Sequence, residues 1–263
     1  MSEQVHWTGE RVVLGESPTE VELEHLQRYR LSSKVCSGRI LDVACGTGYE
    51  SEILSDGGKH PTIGVDISQE TLLHARTESK TTQFVRASVE SLPFKRGSFD
   101  YIVSFETLEH LGHPLAALSE FRSALEHGGR LVLSTPNRDV SLVLFGGLSS
   151  PFHTMEFRYE ELRSLLAPWF SHVAICGQGW RKRSRPMRSF DRIVEVLSRL
   201  VRLPFGELSM RMFRIACRNP RLIGPPMGWI AALLGPGYDI GPAKSRREDR
   251  PKFFIAICQN GSR

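Results

Sequence analysis

The sequence predicts an α/β fold, a layered sandwich in which helices cover a largely parallel sheet. Short aliphatic and β-branched runs alternate with longer amphipathic stretches along the chain. The most informative stretch is RILDVACGTGY, residues 39–49. It contains a buried strand at Arg39–Ala44, a glycine turn at Cys45–Gly48 and a helix at Tyr49–Ser55. A strand, a glycine turn and a helix N-terminus together predict a cofactor pocket.

The other elements follow in order from periodicity and turn signals. Residues 1–17 form an irregular arm, and Pro18–Leu31 is an amphipathic helix laid across the core. The remaining strands are predicted at Pro61–Ile67, Gln83–Arg86, Phe99–Phe105, Arg130–Thr135, His172–Cys176 and Lys252–Cys258. The remaining helices are predicted at Ser68–Lys80, His113–Glu126 and Tyr159–Ala167, and Gly128–Gly129 is expected to close the second of these helices. Ser68 is the expected N-cap of its helix, and residues 137–158 are expected to be a loop.

The 263 residues form one large domain with an inserted segment. We expect an N-terminal arm and cap helix at 1–34, a core at 35–178 plus 251–263, and a basic helical insertion at 179–250. Residues 181–250 contain sixteen Lys or Arg and six Asp or Glu, so this segment carries the protein's positive charge. Basic helices at Ile193–Val201 and Leu208–Ala216 fit a substrate lid, a homodimer contact or a membrane-surface contact with a lipid-linked substrate.

The glycine turn and the acidic residue Asp42 before it indicate which cofactor the pocket binds. Gly46 and Gly48 let a ligand lie against bare backbone, which also happens in dinucleotide-binding turns. Asp42 lies in the strand before the turn, where a buried carboxylate is costly unless it meets a cation or satisfied donors. A sulfonium cofactor with an amino-acid ammonium supplies a cation, whereas a pyrophosphate would be repelled. This favours S-adenosylmethionine over NAD.

Five motifs together resemble the class I S-adenosylmethionine-dependent methyltransferases of the type 11/12 group. They are DVACGTG, VDIS at 65–68, ESLPF at 90–94, FDYIVSFETLEHL at 99–111 and GGRLVLSTPN at 128–137. The resemblance covers about residues 35–178 and the last strand. It implies a Rossmann-like three-layer sandwich with a seven-stranded, mostly parallel sheet of order 3-2-1-4-5-7-6 and a helical insertion before the last strand.

The same resemblance and the strand ends give a set of cofactor-binding residues. Asp66, at the carboxyl end of the second strand, is placed to accept both ribose hydroxyls. Many relatives carry Asp where this chain has Ser88, so Ser88 accepts a hydrogen bond from adenine without a charge, and Val89 packs on the ring. The full set is Tyr29, Asp42, Ala44, Cys45, Gly46, Gly48, Asp66, Ile67, Ser88, Val89 and Phe105.

The acceptor side is predicted around an ExxEH motif. Glu106, Glu109 and His110 would share one face of a helical turn, and His153 is a fourth candidate from a later loop. These four residues could bind Mg²⁺ or Mn²⁺, a spacing similar to that of small-RNA 2′-O-methyltransferases and some ubiquinone-pathway O-methyltransferases. Alternatively the site is metal-free, and His110, His153 and Glu106 are the catalytic residues, with a histidine as general base.

These observations predict an enzyme that methylates a hydroxyl of a sugar, glycolipid or glycosylated natural product, because the TPN and PFHxxEF segments resemble glycan and secondary-metabolite methyltransferases. A metal-dependent RNA 2′-O-methyltransferase, a small-molecule N-methyltransferase and a non-catalytic partner subunit remain open. The acceptor is expected to be a small molecule or glycan rather than nucleic acid, since aromatic stacking partners are sparse in the basic segment. Five scattered cysteines and a polar N-terminus indicate a cytoplasmic protein.

Overall fold

The computed structural model describes residues 6–7, 9, 11–13, 15–180, 238–242 and 251–261. The chain divides into two compact units, Met1–Gly179 with Asp239–Arg263, and Trp180–Tyr238. The expected N-terminal arm and cap helix thus belong to the same unit as the core. The predicted helices Ile193–Val201 and Leu208–Ala216 and the arginine-rich run lie outside the described residues.

Eight strands and six helices are described. The strands are β1 Ile40–Val43, β2 Thr62–Asp66, β3 Gln83–Arg86, β4 Phe99–Phe105, β5 Leu125–Pro136, β6 His172–Trp180, β7 Tyr238–Pro242 and β8 Phe253–Gln259. The helices are α1 Thr19–Val35, α2 Ser51–Ser55, α3 Gln69–Glu78, α4 Pro114–Ala124, α5 Arg138–Phe145 and α6 Tyr159–Leu166. A single 3₁₀ turn covers Leu108–His110. The predicted N-cap is confirmed, because the Ser68 side chain accepts a hydrogen bond from the backbone of Thr71.

The strands form one sheet of order β3-β2-β1-β4-β5-β8-β6-β7. The first seven strands in this order, from β3 to β6, reproduce the predicted order 3-2-1-4-5-7-6, with β8 in the place of predicted strand 7. Strand β8 is antiparallel to both of its neighbours, β5 and β6. The four pairings among β1 to β5 are parallel. The eighth strand, β7, was not predicted. It comes from the segment expected to be a helical insertion and lies at the edge of the sheet beside β6.

Helices cover both faces of the sheet because apolar side chains alternate along the central strands. Ile40, Val103 and Val132 face the layer that contains α1 and α2, represented by Tyr29 and Leu54. The neighbouring strand residues face the layer that contains α4 and α6 and belong to the largest core cluster, which includes Leu41, Ile102, Leu131, Phe121 and Leu162. The predicted three-layer sandwich is therefore confirmed.

Two boundaries after β4 differ from the sequence prediction. The fourth helix ends at Ala124 rather than Glu126, and the double glycine Gly128–Gly129 lies within β5 instead of closing the helix. There the β4–β5 register shifts, since Phe99 pairs with Leu125 but Tyr101 pairs with Arg130. A Cβ on Gly129 would lie 3.0 Å from two backbone oxygens, closer than most Cβ contacts, so this irregularity favours glycine.

The segment expected as a loop at 137–158 contains helix α5. Asn137 caps this helix by accepting a hydrogen bond from the backbone N–H of Asp139. Gly146 ends it in the left-handed conformation, at φ 72°. Both signals stand in the sequence, but the eight-residue helix carries an apolar run without the one-sided pattern of a surface helix.

The carboxyl ends of β1 and β4 meet where the strand order reverses, the position at which ligands bind in open α/β sheets. Ala44 follows β1 and has φ 58°, and Glu106 follows β4 and has φ 49°. Non-glycine residues seldom adopt this left-handed conformation, and such strain concentrates at functional sites. The backbone therefore marks this crevice as the candidate site.

Candidate active site

A cavity of about 520 Å³ opens at the carboxyl ends of β1 to β4. Most of the residues predicted to bind a cofactor line it, namely Tyr29, Ala44, Cys45, Gly46, Asp66, Ile67, Ser88, Val89 and Phe105. The three predicted catalytic residues also line it, namely Glu106, His110 and His153. Asp42, Gly48 and Glu109 are absent from the lining. The structure thus brings most of the predicted cofactor-binding residues and all three predicted catalytic residues to one cavity. Asp42, Gly48 and Glu109 lie behind the cavity wall.

The two turn glycines have different roles. Gly46 has φ 55° and lines the cavity, and a Cβ there would meet no atom of the described residues within 4 Å. Gly48 has φ 70°, but its Cβ would lie 2.6 Å from the Phe84 ring and 2.8 Å from Cβ of Ala75. Gly46 therefore leaves space for a ligand, whereas Gly48 lets the turn pack against α3 and β3.

Asp66 has the geometry expected of a ribose-binding residue. Its Oδ2 accepts the backbone N–H of Gly46 at 3.0 Å, and its Oδ1 accepts that of Ser68 at 2.9 Å. These bonds fix the carboxylate at the cavity wall, and each oxygen retains a further lone pair for a ligand hydroxyl. Ile67, next along the wall, is 67% exposed, so it offers an apolar surface that a planar base could cover.

Asp42 does not face the cavity. Its buried carboxylate accepts hydrogen bonds from Tyr29 Oη at 3.0 and 3.2 Å and from Ser51 Oγ at 2.5 Å. Burial raises the pKa of Asp42 to about 7, although these two donors oppose the shift. Asp42 therefore does not itself meet a ligand cation, and this prediction from the sequence is wrong. Asp42 supports the wall from behind by fixing Tyr29 and α2.

Glu50 is the acid that the sequence analysis missed. It lies just after the glycine turn, is 7% exposed and lines the cavity. Burial raises the pKa of Glu50 to about 7, opposed first by a hydrogen bond from its own backbone N–H. A buried carboxylate at a cavity wall is stabilised by a cation. From sequence, an acid at a helix N-terminus is indistinguishable from a residue that only complements the helix dipole.

The N-terminal arm and α1 form the outer wall. Val21, His25 and Tyr29 are spaced four residues apart on α1 and share the face that lines the cavity. From the arm, Arg11 lines the cavity and bonds through Nη1 to the hydroxyls of Thr71 and Ser68 at the start of α3. The predicted cap helix is thus in place, and Arg11 was not anticipated.

Glu106 is turned toward the protein interior. Its Oε1 accepts a hydrogen bond from Ser134 Oγ at 2.6 Å and lies 3.4 Å from Nη1 of the fully buried Arg28. Burial raises the pKa of Glu106, while the Arg28 charge and the Ser134 hydrogen bond oppose the shift. With this oxygen held by Arg28 and Ser134, Glu106 lies outside the close group of ligand atoms that the two histidines form with Glu109.

His110 and His153 lie side by side in the cavity lining, with ring centroids 4.8 Å apart. His110 Nδ1 donates to the carbonyl of Phe152 at 3.1 Å, and His153 Nδ1 donates to Glu156 Oε1 at 2.8 Å. Because both partners accept hydrogen bonds, each neutral ring has its lone pair on Nε2. This tautomer suits either a general base or a metal ligand.

Glu156 is a further residue that the sequence analysis missed. Burial would raise the pKa of Glu156, but hydrogen bonds from Ser141, Ser149 and His153 hold it below its usual value. The carboxylate therefore stays ionised and orients the His153 ring. The HxxE spacing of His153 and Glu156 is the only signal of this pair in the sequence.

Glu109 lies behind the two histidines. Its Oε2 accepts a hydrogen bond from Thr135 Oγ1 at 3.0 Å, and its buried Oε1 has no hydrogen-bond partner among the described residues. Burial, followed by the charge of Glu106, raises the pKa of Glu109 well above its usual value. One ligand atom from each of Glu109, His110 and His153 lies within 4.8 Å of the others.

The three-residue group fits a divalent metal better than the predicted set of four. Two histidines and one carboxylate are a common metal-binding combination. Two atoms that each bind one metal at about 2.1 Å are at most about 4.2 Å apart, so small side-chain rotations would complete the site. Glu106 does not join the group, because the expected helical turn is a 3₁₀ turn and its carboxylate pairs with Arg28.

The sheet order, the glycine turn and the acid at the end of β2 define a Rossmann-like protein with a cavity for an adenosyl ligand. The family model described as "Methyltransferase domain" matches residues 41–133. A probable S-adenosylmethionine-dependent methyltransferase of Mycobacterium tuberculosis is 30% identical over 186 residues, which cover 68% of this chain and 66% of that protein. The chain belongs to the class I S-adenosylmethionine-dependent methyltransferase family.

Other relatives agree on the fold and differ in their described reactions. A ubiquinone biosynthesis O-methyltransferase of Nitrosococcus oceani is 34% identical over 132 residues, covering 48% of this chain and 56% of that enzyme. A Thermotoga maritima structure, described as a possible histamine N-methyltransferase, has a TM-score of 0.58 at 17% identity and covers 90% of this chain and 91% of its own. The chain therefore spans between about half and just under two thirds of these curated relatives.

Proposed function

We propose that this protein transfers a methyl group from S-adenosylmethionine to a hydroxyl of a sugar, a glycolipid or a glycosylated natural product. The observation that carries the proposal is the pair of imidazoles, His110 and His153, in the lining of the cavity that Asp66 and Glu50 also line. A hydroxyl is a weak nucleophile, so its methylation needs a nearby group that takes its proton.

The donor supplies an electrophilic methyl group on a sulfonium that leaves as a neutral thioether. On this proposal Asp66 accepts the ribose hydroxyls, Gly46 leaves room for the amino-acid portion, and Glu50 binds its ammonium. His153 Nε2 takes the hydroxyl proton as the oxygen bonds to the methyl carbon and the sulfur–methyl bond breaks. Glu156 stabilises the imidazolium that results.

A metal-assisted form of the reaction is the second candidate. Oε1 of Glu109, which has no hydrogen-bond partner among the described residues, favours this form, because a divalent cation would satisfy the buried oxygen together with His110 and His153. Bound Mg²⁺ or Mn²⁺ would lower the pKa of an acceptor hydroxyl, as metals do for water. In that form the two histidines are ligands rather than bases.

An acceptor screen tests the proposal. The full-length protein is incubated with S-adenosylmethionine and matched sugars that differ only in a hydroxyl or an amine, with and without MnCl₂, and release of S-adenosylhomocysteine is followed. We expect turnover with hydroxyl acceptors that His153→Asn reduces at least a hundredfold. Preference for the amines would identify an N-methyltransferase, and turnover of RNA that collapses with added salt would identify an RNA enzyme.

The proposal includes a cytoplasmic location. Cys36, Cys45, Cys176 and Cys258 are unpaired among the described residues, which suits a reducing compartment. In the described parts of the chain, every helix is too short or too polar to cross a bilayer. A donor-binding protein without activity remains distinguishable, because it would bind S-adenosylhomocysteine and turn over none of the acceptors.

A further inference from the structure

Helix α5 and the segment after it form an unusual apolar surface. The described residues include eleven exposed large hydrophobic side chains, and six of them fall between positions 142 and 152. We call this set the α5 surface, and it consists of Leu142, Val143, Leu144, Phe145, Leu148 and Phe152. Val143 is 78% exposed, so these apolar side chains are not the partly buried margin of the hydrophobic core. Contiguous exposed apolar residues of this kind mark binding sites.

The α5 surface contributes little to the packing of the domain. Of the residues in α5, only Ser141 is buried, and its hydroxyl bonds to the Asn137 carbonyl at 3.4 Å. The helix ends are fixed by polar contacts instead, with the Asn137 cap at one end and Gly146 at the other. Its apolar side chains therefore need an explanation outside the core.

The surface ends at the histidine pair. The carbonyl of Phe152 accepts the hydrogen bond from His110 Nδ1, and the Phe152 ring lies 3.7 Å from where a Cβ on Gly9 would be. Both His110 and Gly9 line the cavity. Phe152, the last residue of the α5 surface, thus lies beside the cavity in which the proposed acceptor hydroxyl reacts.

We propose that the α5 surface binds a hydrocarbon chain carried by the acceptor, so that the acceptor is a lipid-like glycoside. This inference rests on the proposed function. The eight-residue helix is about 12 Å long, which suits a medium-length alkyl chain laid along it. The acceptor's sugar would then enter the cavity past Phe152 while its chain stays on α5.

Charge argues against a membrane surface as the occupant. Positions 139–157 contain no Lys or Arg, and the flanking Arg138 and Arg158 pair with Glu161 and Asp139, whereas helices that lie on anionic membranes are rich in Lys and Arg. A hydrocarbon chain needs no basic residues, and the position of Phe152 beside the cavity links the surface to the acceptor site.

Monomeric alkyl glucosides test the inference. Octyl β-glucoside, kept below its micelle concentration, is titrated calorimetrically into the full-length protein saturated with S-adenosylhomocysteine. We expect saturable binding that is at least tenfold tighter than that of methyl β-glucoside. Lengthening the chain should tighten binding by up to about fourfold per buried methylene. The double variant Val143→Ser with Phe145→Ser should weaken octyl glucoside binding at least tenfold and leave S-adenosylhomocysteine binding unchanged.

A matched control and three outcomes complete the test. Leu73→Ser, an exposed leucine on α3, should leave octyl glucoside binding unchanged. Octyl glucoside binding that persists in the double variant overturns the inference. So does a wild-type dimer that the double variant converts to monomers in light scattering, or binding to neutral phospholipid vesicles without binding of monomeric octyl glucoside. Failure of S-adenosylhomocysteine to bind would instead refute the proposed function, since the glucoside titration can be repeated without it.

Discussion

The Tyr29 hydroxyl donates to the buried carboxylate of Asp42, 3.0 Å from Oδ1 and 3.2 Å from Oδ2. This contact joins α1 to the first strand of the sheet. It places an aromatic ring at the cavity wall, packed edge-on against Phe105 at a centroid distance of 4.9 Å. The acid of the glycine-turn motif therefore acts through Tyr29 rather than on the ligand directly.

Tyr29→Phe tests that relationship. The variant keeps the ring and leaves Ser51 as the remaining side-chain donor to Asp42. We expect a loss of about 1 kcal/mol in the free energy of unfolding and a severalfold loss in S-adenosylhomocysteine affinity, measured by denaturation and calorimetry. Tyr101→Phe, on the same face of the sheet, is the control. Equal effects of the two substitutions would contradict the role given to Tyr29.

The two turn glycines should respond differently to alanine. Gly48→Ala forces a Cβ into the Phe84 ring at a positive φ, which should destabilise the protein by about 2–5 kcal/mol. Gly46→Ala meets no described atom, so we expect only about 1–2 kcal/mol from its positive φ. Its cofactor affinity should nevertheless fall strongly, since the methyl group points into the ligand space. Thermal unfolding and calorimetry separate the two effects.

The fold was predictable because its signals are local. The strands at Gln83–Arg86 and Phe99–Phe105 match the prediction, since each combines aromatic and β-branched residues and is bounded by turn residues. Strand β7 was missed because a short edge strand is defined by its partner rather than by its own sequence. The double glycine Gly128–Gly129 misled the prediction, because glycine permits a bulge as readily as a helix end.

Glu50→Gln tests the source of ammonium recognition. The variant should weaken binding of S-adenosylhomocysteine at least fivefold, because a carboxylate that faces the donor's cation is lost. Binding of 5′-methylthioadenosine, which lacks the amino-acid portion, should be unchanged. Asp66→Asn is the matched control, and it should weaken both ligands since both carry the ribose. Equal losses for both ligands in Glu50→Gln would refute the assignment.

Cofactor binding should release protons near neutral pH. Burial raises the pKa of both Asp42 and Glu50 to about 7, and a bound cation favours the ionised form of Glu50, the carboxyl that lines the cavity. Affinity for S-adenosylmethionine should therefore rise from pH 6 to about pH 7.5 and then level off. Calorimetry in buffers of different ionisation enthalpy measures the released protons, and Glu50→Gln should reduce their number. An affinity that does not change over this range contradicts the account.

The same two carboxyls make the stability of the ligand-free protein depend on pH. Their folded pKa values lie above the ordinary values of 3.8 and 4.5, so the folded state binds more protons than the unfolded state between about pH 4 and pH 7. The contribution of these groups is complete below pH 4 and is lost as the pH rises toward 7. Chemical denaturation at several pH values should show this decline, and saturating S-adenosylhomocysteine should diminish it.

Manganese binding distinguishes the two forms of the acceptor site. If the metal-assisted form is correct, the wild-type protein binds one Mn²⁺ and Glu109→Gln abolishes it, as read from the electron paramagnetic resonance of free Mn²⁺. Glu106→Gln should retain the metal, since Arg28 and Ser134 hold that carboxylate apart. If the wild-type protein binds no Mn²⁺, His153 acts as the general base and Glu156 orients it. Loss of metal in Glu106→Gln would contradict the three-ligand arrangement.

The site was less predictable than the fold. Asp66, Gly46 and the two histidines follow from motif and strand position, and all four line the cavity. The grouping of Glu106 with the histidines failed, because the sequence does not show that Arg28 from a distant helix would occupy its carboxylate. An ion pair such as Arg28–Glu106 depends on how α1 packs against the sheet, and this packing cannot be predicted from the sequence of one segment.

The central claim is that this cavity binds a cationic adenosyl donor, and one calorimetric experiment tests it most directly. Wild-type protein and Asp66→Asn are each titrated with S-adenosylhomocysteine and, separately, with NAD. The account predicts one saturable site for S-adenosylhomocysteine in the wild type, at least tenfold weaker binding in Asp66→Asn, and no binding of NAD. Saturable NAD binding without uptake of S-adenosylhomocysteine would contradict it.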